Sequence, residues 1–307
     1  MVLDRRRAVG AVLAVTLALG GGAALVRGPA TAADNGAPGS VAPARSVDLR
    51  IERVSPKPET YGVGIVVRII LDRNVPTSAR TAVTDRITVS STVPIGEAGW
   101  AWTDRRTAVF RPRGFWPAHA EVTVRAQPTG EVIGQKSGRD LRWAGAADSS
   151  FRIGPSRVMT IDARTDQATV VRDGALVRTI PVSLGMPGWE TRSGTKVLME
   201  KYRVKRMTSQ SIGAEDPYIL DAPNAIRLTA TGEFIHAAAW ATSRLGVRNG
   251  SHGCTNVSQA DARWLYKHHL YGDPVITTGT SRPMEVDNGA GGVWNVPWET
   301  WLTGYVK

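Results

Sequence analysis

Short apolar runs separated by turn-forming residues constrain the fold of this chain more strongly than any other feature. In the first half, these runs occupy residues 63–71, 87–89, 100–102, 108–110 and 121–124. Each has the length of a strand, and the stretches between them are rich in Asp, Asn, Pro and Gly. This spacing is typical of a β-sandwich with Ig-like proportions. We interpret Trp100, Trp102 and Trp116 as packing residues of that sandwich rather than as a platform for a ligand.

The strand pattern starts again after Gly154-Pro155, with alternating and β-branched residues over 158–162, 168–172 and 176–184. Asp173-Gly174, between two of these runs, predicts a hairpin turn. Only one segment predicts a convincing helix. Ser258 stands three residues before Asp261 like a capping pair, and apolar side chains then recur at helical spacing up to Gly272.

A chain of 307 residues is long enough for two domains with separate cores. After residue 280 the sequence becomes glycine-rich and then aromatic, which predicts a packed C-terminal subdomain. We therefore expect a mainly β protein: an N-terminal Ig-like β-sandwich, a second β-rich domain with one main helix, and a C-terminal aromatic subdomain. The expected boundaries are 1–32 for a signal peptide or membrane anchor, 33–46 for a flexible tether, 47–153 for the Ig-like domain, 154–280 for the second domain and 281–307 for the subdomain.

The first residues predict export. Three arginines, Arg5 to Arg7, precede an apolar run over 8–19, and Ala30-Thr31-Ala32 offers the small residues that a signal peptidase needs. The run is short for a membrane span, and its glycines disfavour the alternative of a helix in a cytosolic domain. The formal net charge of +11 favours a polyanionic environment. Export makes an anionic cell wall a better partner than nucleic acid, and contact with a membrane is expected only through the N-terminal segment.

Unusual chemistry is concentrated between residues 236 and 256. Cys254 is the only cysteine, so an intramolecular disulfide and a multi-cysteine zinc site are excluded. A nucleophilic thiol needs a base, and His236 and His252 are the two candidates. Gly253 leaves room for a substrate, and the backbone amides near Cys254 are candidates for stabilising an oxyanion.

Two other interpretations of this segment are less favourable. A lone cysteine is usually an inert buried residue, but the polar and glycine-containing run around Cys254 does not resemble a core strand. A catalytic zinc bound by His236, His252 and Cys254 would need a carboxylate base, and none stands near the motif. We therefore expect no metal and no cofactor.

His236 together with Ser251-His252-Gly253-Cys254-Thr255-Asn256 resembles the signature of the L,D-transpeptidases of the YkuD family. Tyr218, Trp240 and the run from Trp294 to Trp298 resemble the branch of that family that carries an Ig-like domain and an aromatic C-terminal subdomain. The resemblance implies a YkuD-type catalytic domain over 154–280. It also implies an exported peptidoglycan enzyme that releases the terminal D-Ala of a tetrapeptide stem and transfers the acyl group to a side-chain amine, which gives a 3→3 cross-link.

The resemblance assigns roles residue by residue. Cys254 is the nucleophile, His236 is its base, and His252 positions or polarises the site. Oxyanion or substrate contacts are assigned to the backbone amide of Cys254 and to five further positions: Tyr218, Gly253, Ser251, Asn256 and Trp240. Ala237 follows His236 where relatives often have Gly or Ser, so orientation of the imidazole has to come from a backbone carbonyl. The implied partners are peptidoglycan stem peptides and, as covalent inhibitors, β-lactams of the carbapenem type.

Three alternatives remain open. An L,D-carboxypeptidase would use the same thioester with water as the acceptor. A non-catalytic wall-binding protein would use the tether, the Ig-like domain and the positive charge. A serine penicillin-recognising enzyme would use the Ser-x-x-Lys run from Ser193 to Lys196, but its companion motifs are absent from the sequence.

Overall fold

The computed structural model describes residues 45–213, 215–304 and 306, and all of them belong to one compact unit. The predictions for residues 1–32 and for most of the tether lie outside the described residues. Residue 46, the last of the predicted tether, is the first residue of a strand. Within the described part of the chain, no helix is long and apolar enough to cross a membrane.

Residues 45–153 form eleven strands and one short α-helix, α1 (Arg80–Thr84). The strands are β1 (Ser46–Leu49), β2 (Ile51–Ser55), β3 (Thr60–Tyr61), β4 (Val67–Leu71), β5 (Ile87–Ser91), β6 (Ala98–Trp102), β7 (Thr107–Pro112), β8 (Glu121–Ala126), β9 (Val132–Lys136), β10 (Arg139–Trp143) and β11 (Ala147–Ile153). They form sheets of order β2-β4-β7-β6, β3-β11-β8-β5 and β1-β10-β9.

Alternating side chains of these sheets meet in one apolar core. Val67, Ile69 and Leu71 of β4 are fully buried, as is Val122 of β8. Successive strand residues point to opposite faces, so this alternation places one face of each sheet inside. Trp102 and Trp116 belong to the same core. The prediction that they are packing residues is therefore confirmed.

The described residues after 153 add nine strands and two α-helices, α2 (Gln259–His268) and α3 (Trp298–Leu302). The strands are β12 (Arg157–Asp162), β13 (Gln167–Arg172), β14 (Ala175–Pro181), β15 (Gly194–Val197), β16 (Glu200–Thr208), β17 (Ile219–Arg227), β18 (Phe234–Ala237), β19 (Thr255–Val257) and β20 (Pro274–Thr278). The described residues also form short 3₁₀ helices at Thr77–Ala79, Ser209–Ile212, Ala239–Arg244 and Gly292–Asn295.

Two sheets, of order β14-β13-β12-β20-β15 and β16-β17-β18-β19, enclose the second core together with α2. The predicted hairpin is present, with Asp173 and Gly174 at φ values of 48° and 84°. The predicted cap is present too, because the Ser258 hydroxyl accepts the Asp261 amide at 3.1 Å. The mainly β fold is confirmed. Residues 200–208, which show no alternating apolar pattern in the sequence, form β16.

The C-terminal aromatic residues pack against the N-terminal sandwich. The guanidinium of buried Arg111, on β7, lies 5.0, 5.2 and 4.4 Å from the ring centroids of Trp294, Trp298 and Trp301. The Trp301 indole also donates to the carbonyl of Gly99 on β6, at 3.0 Å. The subdomain therefore closes one side of the Ig-like sheet, which agrees with its predicted packed character.

Candidate active site

The pairing of β18 with β19 brings the distant histidine to the cysteine motif. These strands run parallel, with His236 opposite Asn256. Residues two apart on a strand share a face, so Cys254, immediately before β19, lies on the same face as Asn256 and His236. The three side chains line one cavity of about 440 Å³. The topology therefore joins residues that are 18 positions apart in the sequence.

The β16–β17 hairpin forms another part of the cavity lining. Met207 and Leu220 of this hairpin, Tyr218 in its loop and Phe234 at the start of β18 form an apolar surface that packs against Cys254. Lys205, Arg206 and Arg227 also line the cavity, and Asp216 is the acidic residue among the lining side chains. An apolar cleft with a few polar and charged groups is typical of a binding site for a small ligand.

Cys254 is a protonated thiol in this environment. Burial of the sulfur raises its pKa to about 12, and the carboxylate of Glu233 acts in the same direction. The thiol donates weakly toward the carbonyl of Gly232, at 3.9 Å. At neutral pH the sulfur is therefore not a resting thiolate, and a base has to remove its proton as the substrate reacts.

His236 is buried, and its orientation is fixed by the chain itself. Its Nδ1 lies 2.9 Å from the carbonyl of Ala237. A carbonyl only accepts, so this contact places the ring proton on Nδ1 and leaves Nε2 as an unprotonated acceptor. Burial lowers the pKa of His236, which keeps the imidazole neutral. The arrangement suits a general base, and it needs no hydroxyl from residue 237.

His252 sits between aromatic rings at the entrance of the cavity. Its Nε2 lies 2.9 Å from a carboxylate oxygen of Asp216, and its ring centroid is 5.1 Å from those of both Trp189 and Tyr218. These contacts hold the His252 imidazole against Asp216, Trp189 and Tyr218. Burial raises the pKa of Tyr218, with contributions from Cys254 and Asp216, so its hydroxyl stays protonated and able to donate.

Hydrogen bonds hold the turn that carries the cysteine in one shape. The Ser251 hydroxyl donates to the Cys254 carbonyl at 2.6 Å and accepts the Gly253 amide at 3.1 Å. Gly253 has a φ of 108°, which disfavours any side chain at this position. Because the Gly253 amide already donates to the Ser251 hydroxyl, the Cys254 amide is the better of the two as a hydrogen-bond donor to an oxyanion.

The remaining predicted residues also line the cavity. Asn256 is 3% exposed, and its Oδ1 has no partner among the described residues. Trp240 is 53% exposed, and its ring lies 5.9 Å from that of His236. All eight predicted site residues therefore belong to the cavity or to the turn beneath it. Within residues 45–304, apart from residue 214, no cluster of His, Cys, Asp or Glu suits a metal ion.

A buried charge network lies under the motif and was not predicted from the sequence. Glu233 bonds Arg192 at 2.9 Å and Lys196 at 3.4 Å, and all three side chains are almost fully buried. Glu285 reaches Arg192 from the C-terminal subdomain. The side chain of Glu233 is also close to Gly253. Glu233 immediately precedes β18, so the network connects the strand that carries His236 with the turn that bears Cys254.

The same network argues against the serine-enzyme alternative. Lys196 is fully buried and bonds Glu233 and the Arg192 carbonyl. Ser193 instead bonds the side chain of Thr280 at 2.6 Å. Among the described residues, Lys196 and Ser193 therefore bond different partners and not each other. The run from Ser193 to Lys196 has a structural role.

Family models match both halves of the chain. A model described as an L,D-transpeptidase catalytic domain matches residues 156–277, and a model described as a bacterial Ig domain matches residues 37–131. The first match contains His236 and the run from Ser251 to Asn256. The second covers much of the N-terminal sandwich.

Curated proteins of Mycobacterium tuberculosis are similar over most of the chain. L,D-transpeptidase 2 of strain CDC 1551 / Oshkosh is 30% identical over 254 residues, which cover 81% of this chain and 60% of that protein. L,D-transpeptidase 1 of strain ATCC 25618 / H37Rv is 31% identical over 222 residues, with 71% and 80% covered. The chain thus spans about three fifths of the length of L,D-transpeptidase 2.

Solved structures share the architecture. LD transpeptidase LdtMt1 in complex with imipenem superposes with a TM-score of 0.63 at 29% identity, over 74% of this chain and 98% of that one. L,D-transpeptidase 3 from Mycobacterium tuberculosis in complex with a faropenem-derived adduct gives a TM-score of 0.61 at 28% identity, over 75% and 98%.

Proposed function

Because this chain belongs to the L,D-transpeptidase family, we propose that it cross-links peptidoglycan stem peptides through a thioester on Cys254. One observation carries the proposal: Cys254, His236 and Asn256 share one face of the β18–β19 pair and line one cavity. The donor is a tetrapeptide stem, and the acceptor is a side-chain amine of a second stem. The proposed location is outside the cytoplasm, at the cell wall.

Acylation begins with a neutral thiol and a neutral imidazole. The donor carbonyl enters above Cys254, and Nε2 of His236 takes the thiol proton while the sulfur bonds the carbonyl carbon. The resulting oxyanion accepts the Cys254 amide and the hydroxyl of Tyr218. When the intermediate collapses, its C–N bond to D-Ala breaks, and His236 returns the proton to the departing amine.

Deacylation repeats these steps with an amine as the nucleophile. The acceptor ammonium first loses one proton to solvent; the neutral amine nitrogen then attacks the thioester carbonyl, His236 takes a second proton from that nitrogen, and the C–S bond breaks. The proton then passes to the sulfur, which restores the thiol. Water in place of the amine would make the protein an L,D-carboxypeptidase, and the cavity wall formed by Met207, Leu220 and Phe234 favours the amine by limiting water near the thioester.

The rim of the cavity suits charged substrates. Stem peptides carry carboxylates, which the cationic side chains of Lys205 and Arg206 on the β16–β17 hairpin attract. The acceptor amine is positively charged before it reacts, and the exposed carboxylate of Asp216 lies beside His252 at the cavity mouth. The two signs of charge on one rim support a reaction between an anionic donor and a cationic acceptor.

A mass-spectrometric experiment tests this function. Purified protein would be incubated with imipenem, and intact mass and peptide mapping would locate the adduct. We expect one adduct, on Cys254, that disappears in Cys254→Ser. Incubation with a tetrapeptide donor and an amine acceptor should release D-Ala and give a 3→3 linked product in the wild type only.

Ser193→Ala is the control for the serine-enzyme alternative, and it should keep both the adduct and the product. An adduct on Ser193, or full activity in Cys254→Ser, would overturn the proposal. Release of D-Ala without any amine product would favour the carboxypeptidase. Binding to peptidoglycan without any turnover in the wild type would leave the non-catalytic alternative.

A further inference from the structure

Thr191 is buried beneath the cysteine turn and contacts it directly. Its side chain is 1% exposed, and its Oγ1 lies 2.8 Å from the carbonyl oxygen of Gly253. The same oxygen lies 3.0 Å from the amide nitrogen of Gly185. The segment that contains both residues runs along the motif, with the Met186 amide bonded to the Ser251 carbonyl at 2.9 Å.

These two contacts determine the direction of the threonine hydroxyl. An amide N–H only donates, so Thr191 Oγ1 must accept from Gly185. Its single proton is then directed to the Gly253 carbonyl, which only accepts. Gly185 allows this close approach because a Cβ at that position would lie 1.9 Å from the Trp189 carbonyl oxygen. The hydroxyl is therefore fully used, and the Gly253 carbonyl is held toward Thr191.

Holding that carbonyl also orients the amide of Cys254. The Gly253 carbonyl and the Cys254 N–H belong to one planar trans peptide unit, in which the two bonds point in opposite directions. A carbonyl directed into the protein at Thr191 thus turns the Cys254 N–H away from Thr191. Among the described residues, no acceptor takes this N–H.

We propose that Thr191 is the positioning residue that aims the Cys254 amide at the oxyanion formed during acylation. The proposal rests on the function proposed above and adds to it the group that orients the donor. Thr191 touches no reacting atom. Its contribution is that the peptide unit is already oriented when charge develops, so no reorganisation is needed in the transition state.

Two reactions of Cys254 separate this role from a general structural one. Acylation by imipenem passes through an oxyanion, whereas alkylation by iodoacetamide displaces iodide from a saturated carbon and forms none. Thr191→Val removes the hydroxyl while keeping the shape of the side chain. We expect it to slow acylation about tenfold to a hundredfold, which approaches the cost of losing an oxyanion donor, and to change alkylation by less than about threefold.

Thr255→Val is a matched control, because Thr255 is equally buried, follows the nucleophile directly, and has a hydroxyl without a partner among the described residues. It should leave both rates close to the wild type. Thr191→Ser keeps the hydroxyl and should restore acylation to within a few-fold. In the imipenem adduct, the infrared stretch of the thioester carbonyl should move to higher wavenumber in Thr191→Val, because a hydrogen bond to that oxygen is lost.

The measured rates either support or overturn the role proposed for Thr191. Equal acylation rates for Thr191→Val and Thr255→Val would overturn the proposal, as would a parallel loss of both reactions in folded Thr191→Val. If Thr191→Val does not fold, Thr191→Ala also removes the hydroxyl without adding bulk and decides the question: an unchanged acylation rate overturns the proposal, and a selective decrease supports it. Failure of wild-type protein to form an adduct would instead count against the proposed function.

Discussion

The sulfur of Cys254 and the imidazole of His236 are both neutral at pH 7, for the same physical reason. Burial disfavours the charged form of each group, so the pKa of the thiol rises to about 12 and that of the imidazole falls. The site therefore differs from cysteine enzymes that rest as a thiolate–imidazolium pair. Proton transfer has to accompany attack on the substrate carbonyl.

This difference predicts the pH dependence of alkylation. A thiol with a pKa of about 12 loses its proton progressively as pH rises, so the rate with iodoacetamide should increase about tenfold per pH unit from pH 6 to 9 without a plateau. Free cysteine, the control, levels off near its own pKa of about 8.5. Mass spectrometry of quenched samples gives both rates. A plateau with a midpoint below pH 7 would show an ion pair instead.

The sequence singles out the residues to which the proposed function assigns chemistry, but not the residues that support them. Cys254, His236 and His252 stand out because a lone cysteine between glycine and polar residues is unusual. Thr191 and Glu233 do not stand out, since a threonine or a glutamate is common in any turn. Their roles depend on contacts with Gly253, 62 positions from Thr191, and only the fold supplies that proximity.

At the scale of elements, the β16–β17 hairpin shows where periodicity fails. β16 has the sequence Glu-Lys-Tyr-Arg-Val-Lys-Arg-Met-Thr, and most of its side chains are partly or fully exposed. A strand without a buried apolar face gives no alternating pattern. It is stable because it pairs along nearly its whole length with β17 and because Met207 and Tyr202 pack on Phe234.

Helix α2 shows the opposite case, because local chemistry was sufficient to predict it. The Ser258 hydroxyl accepts the Asp261 amide at 3.1 Å and contacts the Asp261 carboxylate at 2.5 Å. Ser258→Ala should therefore lower the free energy of unfolding by about 1 kcal/mol in urea titrations. Gln259→Ala, at the exposed next position, is the control and should change it by less than about 0.5 kcal/mol. Equal values for the two variants would contradict the cap.

At the scale of the whole molecule, acid stability depends on a buried histidine away from the active site. His269 is 2% exposed, and neither ring nitrogen has a partner among the described residues. Burial lowers its pKa to about 3, and Arg157, Lys201 and His268 add to this shift. In the unfolded chain, His269 binds a proton below about pH 6.5, whereas in the folded chain it stays neutral until the pH approaches 3. This stabilising contribution is complete above that pH and is lost progressively as pH falls toward 3.

Replacing this histidine should reduce the acid sensitivity of the fold. From pH 7 to 5, wild-type protein should lose about 1–2 kcal/mol more unfolding free energy than His269→Leu, measured by urea titration at each pH. Asp273, whose pKa is raised to about 6 by burial, acts with the opposite sign but is present in both proteins. His119→Asn, at an exposed position, is the control and should follow the wild type. Parallel curves for wild type and His269→Leu would refute the assignment.

The packing of Trp294, Trp298 and Trp301 around Arg111 has a consequence for folding during synthesis. Trp301 donates to the carbonyl of Gly99, 202 positions earlier, and the Trp102 amide bonds the carbonyl of Gly304 at 2.9 Å. During synthesis, the Ig-like sheet leaves the ribosome long before the residues that cover its guanidinium. Until those residues arrive, the nascent sandwich shows a bare apolar flank. Expressing the N-terminal half alone would make that transient state permanent.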